Sequence, residues 1–337
     1  MNLPQLTAGG SLRTIAGSTP ARGLAGEWQA GLGMTAITHY AMQSEIAPYC
    51  SCTSAANATA GSGAQAAAPA VNVFSVGGIA ARFPSLSLEK EFLQTLDESD
   101  QDRNIDWLVA RYLKQTDNLY IAREMTWLFQ QGNTDVYVIH PQSNYELQNL
   151  VALLYDPTLS DVGSLIWGIV RGTEGTALPD DGRVGGGLPV LTAKEVYIAS
   201  SQSYLSAITE LTNGTPQNVL PIFAQVFGFA INAGNTDPQR AINYVVLQYI
   251  SAYAQVYNLR YPSQSQPTSE LPTQEPYSLT GIRTAPSAVQ GKNKVLDVIF
   301  SFTGLQTGLV QQWYCSVDVT GQFPFINAPF QRYYGIG

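Results

Sequence analysis

The stretch VNVFSVGGIAARFPSLSLEKEF, from Val71 to Phe92, marks the point where a regular fold begins. Its first half alternates apolar with small or polar side chains and is rich in β-branched and aromatic residues, which is typical of a β-strand. Gly77-Gly78 permits a bend or bulge within that strand, and Pro84 ends it. Ser85 or Ser87 can then cap a helix. The stretch therefore predicts a strand, a proline stop and a capped helix.

The chain before this stretch has a different composition. Residues 1–26 are rich in Gly, Ser and Thr, which predicts an extended N-terminal arm that is ordered only by packing against its own domain or a neighbouring subunit. Residues 27–46 have a loose helical spacing of apolar side chains and predict a helix. Residues 47–70 are rich in Ala, Gly and Ser and predict a linker. We therefore expect an arm, a helix and a linker in residues 1–70 and one folded domain in residues 71–337.

Helix and strand patterns follow one another from residue 71 to the end of the chain. Their order predicts an α+β fold, with a mixed or antiparallel sheet, several packed helices and a C-terminal β-hairpin. The aromatic tail after residue 320 is expected to pack on the domain or on a neighbour. The predicted helices span 86–98, 105–115, 145–155, 204–211, 218–232 and 238–259, the predicted strands span 71–83, 134–140, 162–172, 190–198, 279–286, 295–303 and 309–319, and 120–130 fits either class.

Local patterns add three finer expectations. Asp237 is expected to cap the helix over 238–259, with Pro238 in its first turn. Ile105 is expected to face inward from the 105–115 helix. The glycine-rich segment 182–188 is expected to be a loop, and it lacks the spacing of a phosphate-binding loop.

Composition and charge limit the class of partner. Only 12% of residues are charged, 45% are hydrophobic, and the formal net charge is −8. A nucleic-acid-binding domain needs a basic surface, so nucleic acid is not expected as a partner. The polar surface depends instead on Gln, Asn, Ser, Thr and 18 Tyr, and tyrosine-rich surfaces favour protein contacts. The sequence therefore indicates a homo-oligomer or a protein or peptide partner.

Hydropathy gives no sign of a membrane segment. The most apolar run, 219–231, is too short to span a bilayer and contains a proline. The first twenty residues lack the charged and apolar regions of a secretory signal. We therefore expect no membrane partner and a protein that is cytoplasmic or exported by a route without a classical signal peptide.

The chain has three cysteines and two histidines, and few of them suggest chemistry. Cys50 and Cys52 are one residue apart, and two thiolates can ligate a soft metal such as zinc, although structural zinc sites usually have wider spacing. Two free thiols, or a redox-active or crosslinking pair, are the alternatives. Cys315 lies in a predicted strand and is expected to be buried. His39 is expected to be a surface or packing residue, and a catalytic triad on His140 would need a serine and an aspartate that the sequence does not place, so no catalytic set stands out.

Several segments of the folded region, in order, resemble a known family. They are VFSVGGIAARFPSLSLEKEF (73–92), NLYIAREMTWLF (118–129), TDVYVIHP (134–141), NAGNTDPQRAINYVVLQY (232–249), SLTGIRTAPSAVQGKNKVLDVIFSFT (278–303) and VDVTGQFPFI (317–326). The chain resembles the C-terminal domain of unknown function of cyanobactin (patellamide-type, PatA/PatG-like) maturation proteases. The resemblance implies a stand-alone accessory domain, because in that family the proteolytic triad lies in a separate subtilisin domain, which this chain lacks.

Two functions remain open after the sequence is read. The first is a non-catalytic accessory or interaction domain of ribosomal peptide maturation, which binds a peptide or protein partner without a cofactor. Arg82, Glu89 and Glu91 are the polar positions of the first motif and are candidate contacts or, alternatively, fold-setting salt links. The second is a self-assembling structural subunit, a filament or shell, that uses its N-terminal arm and aromatic C-terminal tail. An enzyme is the least favoured class.

Overall fold

A computed structural model describes residues 71–97, 100, 105–132, 134–154, 166–262, 275–289 and 291–334 of the 337-residue chain. The predicted arm, the helix over 27–46, the linker, and the residues His39, Cys50 and Cys52 lie outside the described residues, so the expectations for them stay predictions. The described part contains nine strands and eight α-helices. It confirms the predicted α+β class.

Five strands form a small closed barrel in the order β1-β2-β3-β5-β4. Strands β3 and β5 run parallel and the other pairs run antiparallel, so the sheet is mixed. Closure gives each barrel strand a neighbour on both sides. The strands span Val71–Arg82 (β1), Thr126–Gln131 (β2), Thr134–Pro141 (β3), Ile166–Ala177 (β4) and Pro189–Ser200 (β5).

Strand β1 changes its barrel neighbour at the two glycines. Its first half, through Gly77, pairs with β4, and its second half, from Gly78, pairs with β2. A methyl group on Gly77 would overlap the carbonyl oxygen of Gln130 in β2, so the two strands approach here more closely than any side chain allows. The glycine pair that the sequence marked therefore sits at the point where the barrel turns from β4 to β2.

Four short helices pack on one side of the barrel. They span Leu86–Gln94 (α1), Ile105–Tyr112 (α2), Leu119–Glu124 (α3) and Asn144–Ala152 (α4). The hydroxyl of Ser85 accepts a hydrogen bond from the backbone N–H of Leu88 at 3.3 Å, so Ser85 and not Ser87 is the N-cap of α1. The segment 120–130, which fitted either class, contains both, because α3 ends at Glu124 and β2 begins at Thr126.

The second half of the chain consists of four helices and a separate antiparallel sheet in the order β6-β7-β8-β9. The predicted hairpin is β7 and β8, and the aromatic tail forms β9 beside it, so the tail packs on its own domain. The helices span Ser201–Thr212 (α5), Pro216–Phe227 (α6), Asp237–Gln248 (α7) and Ser251–Arg260 (α8), and the strands span Tyr277–Pro286 (β6), Val295–Gly304 (β7), Val310–Asp318 (β8) and Phe325–Tyr333 (β9).

Strand β1 contributes to two clusters of buried apolar side chains. Val73 and Ile79 pack in the cluster that contains helices α1–α4 and much of the barrel. Phe74 and Val76 pack in the cluster that contains helices α5–α8 and the second sheet. Successive residues of a strand point to opposite faces, so one strand can supply both clusters. The stretch that opens the fold thus joins its two halves.

The predicted helix over 238–259 is wrong, because the chain forms two helices there. It leaves the helical conformation at Tyr249, with φ −111° and ψ 77°. The Tyr249 hydroxyl accepts a hydrogen bond from the backbone N–H of Phe330 in β9 at 3.3 Å. The apolar period continues across the break without glycine or proline, so local sequence gives no sign of it.

Two finer predictions about helix ends are also wrong. Thr236 caps α7 through its hydroxyl, and Asp237 instead accepts from the Arg240 guanidinium at 3.1 Å. Ile105, expected to face inward, is 37% exposed because it is the first residue of α2. Both errors lie at a helix terminus, where the choice among neighbouring residues depends on tertiary contacts.

Candidate functional site

A cavity of about 330 Å³ opens at one end of the barrel. Its walls come from the end of α3, the start of β2, the end of β3 and the connection between β4 and β5. Met125, Val138 and Val184 supply apolar surface, and Arg123 and His140 supply polar surface. The mouth of a small barrel is a common place for a ligand site. We call this cavity the barrel-end pocket.

The β4–β5 connection is a folded loop that packs on the barrel. The backbone N–H groups of Leu178 and Leu188 donate to the carbonyl oxygens of Leu188 and Gly185, at 2.9 and 3.1 Å. Gly185 has φ +77°, a conformation that favours glycine, and a methyl group there would lie 2.5 Å from a Val138 methyl carbon in β3. Glycine therefore lets the connection lie directly on the barrel wall, and the loop predicted over 182–188 is confirmed.

Two arginines at the pocket have different partners. The guanidinium of Arg183 donates to the Asp181 carboxylate at 2.7 Å, and this contact lowers the pKa of Asp181 and raises the pKa of Arg183. Arg123 donates to the side-chain oxygen of Asn144, the first residue of α4, at 3.2 Å. A neutral amide leaves the charge of a guanidinium uncompensated. The pocket therefore presents one neutralised and one uncompensated arginine.

One histidine lines the pocket. His140, the penultimate residue of β3, has an exposed side chain, and no hydroxyl, thiol or carboxylate within the described ranges hydrogen bonds to its imidazole. The same ranges hold no cluster of three or more His, Cys, Asp or Glu side chains that could bind a metal. An arrangement of apolar walls and arginines can bind a ligand and orient it.

Arg82, Glu89 and Glu91 are not among the residues that line this pocket. Arg82 forms an exposed ion pair with Asp106 at 3.8 Å, and Glu89 lies in the first turn of α1. Glu91 interacts with Tyr120, whose pKa is raised by partial desolvation and by that carboxylate. These contacts are consistent with the interpretation that Arg82, Glu89 and Glu91 stabilise the fold and do not contact a partner.

Cys315 lies in β8 and is fully buried, as predicted. Burial raises the pKa of its thiol to about 12, so the thiol stays protonated at neutral pH. Cys50 and Cys52 lie outside the described residues, and the zinc-like site remains a prediction.

Sequence reading missed the residues that form the barrel-end pocket. Arg123, Met125 and Trp127 lie within the segment 118–129, and His140 lies within the segment 134–141. Their approach to Val184 depends on barrel closure and on the parallel pairing of β3 with β5, which are long-range contacts. The glycine-rich loop over 182–188 is the one local sequence feature that points to this pocket, because glycines allow close backbone packing.

A buried polar junction joins the barrel to the second half of the chain. The amide of Asn243 in α7 donates to the Phe74 carbonyl oxygen at 2.7 Å and pairs with the Asn232 amide. The Tyr137 hydroxyl in β3 donates to the Ala233 carbonyl oxygen at 2.9 Å, and burial raises the Tyr137 pKa. Buried polar groups that are paired in this way fix the relative position of the elements that carry them. This junction is structural, and it connects β1 and β3 of the barrel to α7 and to the segment before it.

The fold and the pocket together define a barrel-containing α+β domain with a small ligand-sized cleft at the barrel mouth. Two family models match it: the PatG Domain model matches residues 72–165, and the PatG C-terminal model matches residues 211–333. Together the two matches cover more than half of the chain. The chain therefore belongs to the PatG-type domains of unknown function. Neither matched domain is a protease domain.

A solved structure described as "PatG Domain of Unknown Function" has the same fold. It superposes with a TM-score of 0.59 at 16% sequence identity, and covers 78% of this chain and 98% of that chain. No curated protein matches the chain. Within the described residues, no helix has the length and apolar character needed to cross a membrane.

The first family match contains part of the pocket, and the second contains none of the residues that line it. The first contains Arg123, Met125, Val138 and His140, whereas the β4–β5 connection with Val184 lies between the two matches. One wall of the pocket therefore comes from a segment that neither match includes.

Proposed function

We propose that this chain is a non-catalytic accessory domain that binds a peptide in the barrel-end pocket. The observation that carries the proposal is the pocket itself, a cleft of about 330 Å³ with apolar walls and an uncompensated arginine at the barrel mouth. The name of the matched family supports an accessory role in cyanobactin-type ribosomal peptide maturation, in which the substrates are peptides.

The size of the pocket favours part of a peptide over a large cofactor. Ligand sites of proteins usually range from about 300 to 1,000 Å³, so this cleft is at the lower end. Apolar side chains from Met125, Val138 and Val184 provide surface for one side chain of a ligand. Arg123 adds directional hydrogen bonding. A short peptide segment combines these apolar and polar features.

The walls are held in place by packing and hydrogen bonds. Met125 and Val138 are buried, and the β4–β5 connection is closed by its own hydrogen bonds. A preformed site loses little conformational entropy when a ligand binds. The connection also lies between the two family matches, so we expect ligand preference to differ among related proteins through this segment.

Filling the pocket tests this proposal. Val184 lines the cleft from the exposed side of the loop, so Val184→Trp should occupy the space without disturbing the barrel core. Val289→Trp is the matched control, because Val289 is exposed and does not line the pocket. The full-length chain is immobilised and offered a library of randomised tetrapeptides, and retained peptides are measured by mass spectrometry.

We expect the native chain and Val289→Trp to retain a common set of peptides that Val184→Trp loses. The proposal fails if the native chain retains none, or if Val184→Trp retains the same set as the native chain.

Self-assembly is the second candidate, and one feature of the second sheet favours it. Strand β9 ends the sheet order, and its first residue, Phe325, is 51% exposed. An end strand with exposed aromatic side chains can pair with another chain, although Pro329 within β9 limits such pairing. Light scattering after size exclusion of the full chain and of Phe325→Lys tests this candidate. Large particles that Phe325→Lys disperses would favour assembly, whereas a monomer in both cases would remove it.

A further inference from the structure

We propose that the barrel-end pocket binds the C-terminal end of a peptide, with the terminal carboxylate on Arg123. The last side chain of the peptide lies against Met125, Val138 and Val184. This inference rests on the proposed function and names the part of the peptide that the site takes.

Arg123 is the pocket cation that is free to bind an anion. Among the described residues, its polar partner is the Asn144 side-chain oxygen at 3.2 Å, and no carboxylate pairs with it. Arg183 differs, since Asp181 neutralises it at 2.7 Å. A guanidinium has five N–H donors in a planar fork, so Arg123 keeps donors for a two-point contact with a carboxylate.

The neighbours of Arg123 hold it in position. It lies in the last turn of α3, which is followed at Met125 by extended backbone and then by β2. Asn144, its hydrogen-bond partner, begins α4, whose N-cap Ser143 is bonded to the backbone N–H of Tyr145 at 3.1 Å. The contact with Asn144 thus orients the exposed guanidinium at the edge of the cleft.

A chain end fits this site better than an internal peptide segment. The C-terminal residue carries an anion and a side chain on the same α-carbon, whereas the backbone of an internal segment is neutral. The pocket offers the same pairing, a cation beside apolar walls. Glu124 also lines the pocket and adds a negative charge to it, so a ligand with a second anion on its last side chain is disfavoured. An aliphatic C-terminal residue is therefore the expected occupant.

The test compares free and blocked chain ends. Two pools of N-acetyl tetrapeptides, randomised at the first three positions and ending in leucine, differ only in a terminal carboxylate or carboxamide. Each pool is offered to the immobilised full-length chain and to Arg123→Met, Arg123→Gln and Arg332→Met. Arg332 is an exposed arginine that does not line the pocket, so it is the matched control.

We expect the native chain and Arg332→Met to retain the carboxylate pool at least about tenfold better than the carboxamide pool, because charged hydrogen bonds are lost in the amide. Both Arg123 variants should lose this preference while their thermal midpoints stay unchanged. If the native chain retains the two pools equally and Val184→Trp retains neither, this inference is overturned and the proposed function stands. Retention of neither pool would overturn both.

Discussion

Gly77 and Gly78 are adjacent in β1 but have different surroundings. A methyl group on Gly77 would overlap the Gln130 carbonyl oxygen and also approach the Phe129 ring at 2.8 Å. A methyl group on Gly78 would find its nearest neighbour at 3.9 Å. Only the first glycine is therefore required by the close approach of β1 and β2.

Gly77→Ala should destabilise the chain, and Gly78→Ala should not. The added methyl group at Gly77 must push two paired strands apart, which costs about 1–3 kcal/mol, as overpacking does elsewhere. Urea unfolding of the two full-length variants measures the difference. Equal loss of stability in both variants would show that the strand change at this point does not depend on close backbone approach.

Cys315 gives a second prediction for a single residue. Its pKa of about 12 keeps the thiol protonated at pH 8, whereas an unfolded cysteine with a pKa of about 8.5 is partly thiolate. In the variant Cys50→Ser/Cys52→Ser, where Cys315 is the remaining cysteine of the three, a thiol reagent should react at least about tenfold faster in denaturant than without it. Rapid labelling of the native variant would contradict the burial of this side chain.

The sequence allows either Ser85 or Ser87 as the N-cap of α1, and in the structure the N-cap is Ser85. The Ser85 hydroxyl caps α1, and Ser87 is the second residue of the helix, with an exposed side chain. Ser85→Ala should lower the free energy of unfolding by about 1 kcal/mol, the usual value of an N-cap. Ser87→Ala should change it by less than about 0.5 kcal/mol, since alanine is the better helix former. Thermal unfolding of the two variants compares them, and a larger effect at Ser87 would contradict the cap assignment.

Elements with a local signal could be predicted from the sequence. The strand before Pro84, the hairpin β7–β8 and the loop 182–188 depend on alternation, turn residues and glycines within a few positions. The break at Tyr249 could not be predicted, because the contact that accompanies it comes from β9. Barrel closure and the parallel pairing of β3 with β5 are long-range in the same sense, so the barrel-end pocket could not be predicted either.

The two halves of the molecule share a strand and a polar junction. Side chains of β1 pack in both apolar clusters, and Asn243 in α7 is bonded to the Phe74 carbonyl oxygen at 2.7 Å. If either apolar cluster unfolded, the β1 side chains that pack in it would become exposed, although β1 also belongs to the other cluster. The described fold should behave as one cooperative unit.

Calorimetry of the full chain should accordingly show one main transition. Phe92→Ala in one cluster and Val298→Ala in the other should both lower the midpoint of that same transition, because each leaves a cavity that costs about 2–5 kcal/mol. Two separate transitions, each moved by only one of the variants, would show that the halves fold independently.

Binding of a peptide in the barrel-end pocket can be observed at Met125. The chain has four methionines, and Met125 is the one that lines the pocket, while the other three lie within the first 42 residues. Labelling of the methionine methyl groups with ¹³C gives one NMR signal for each, and Met125→Leu assigns the pocket signal. Addition of leucine-ended tetrapeptides should shift the Met125 signal and leave the others in place. An unmoved Met125 signal, with or without changes elsewhere, would contradict the account.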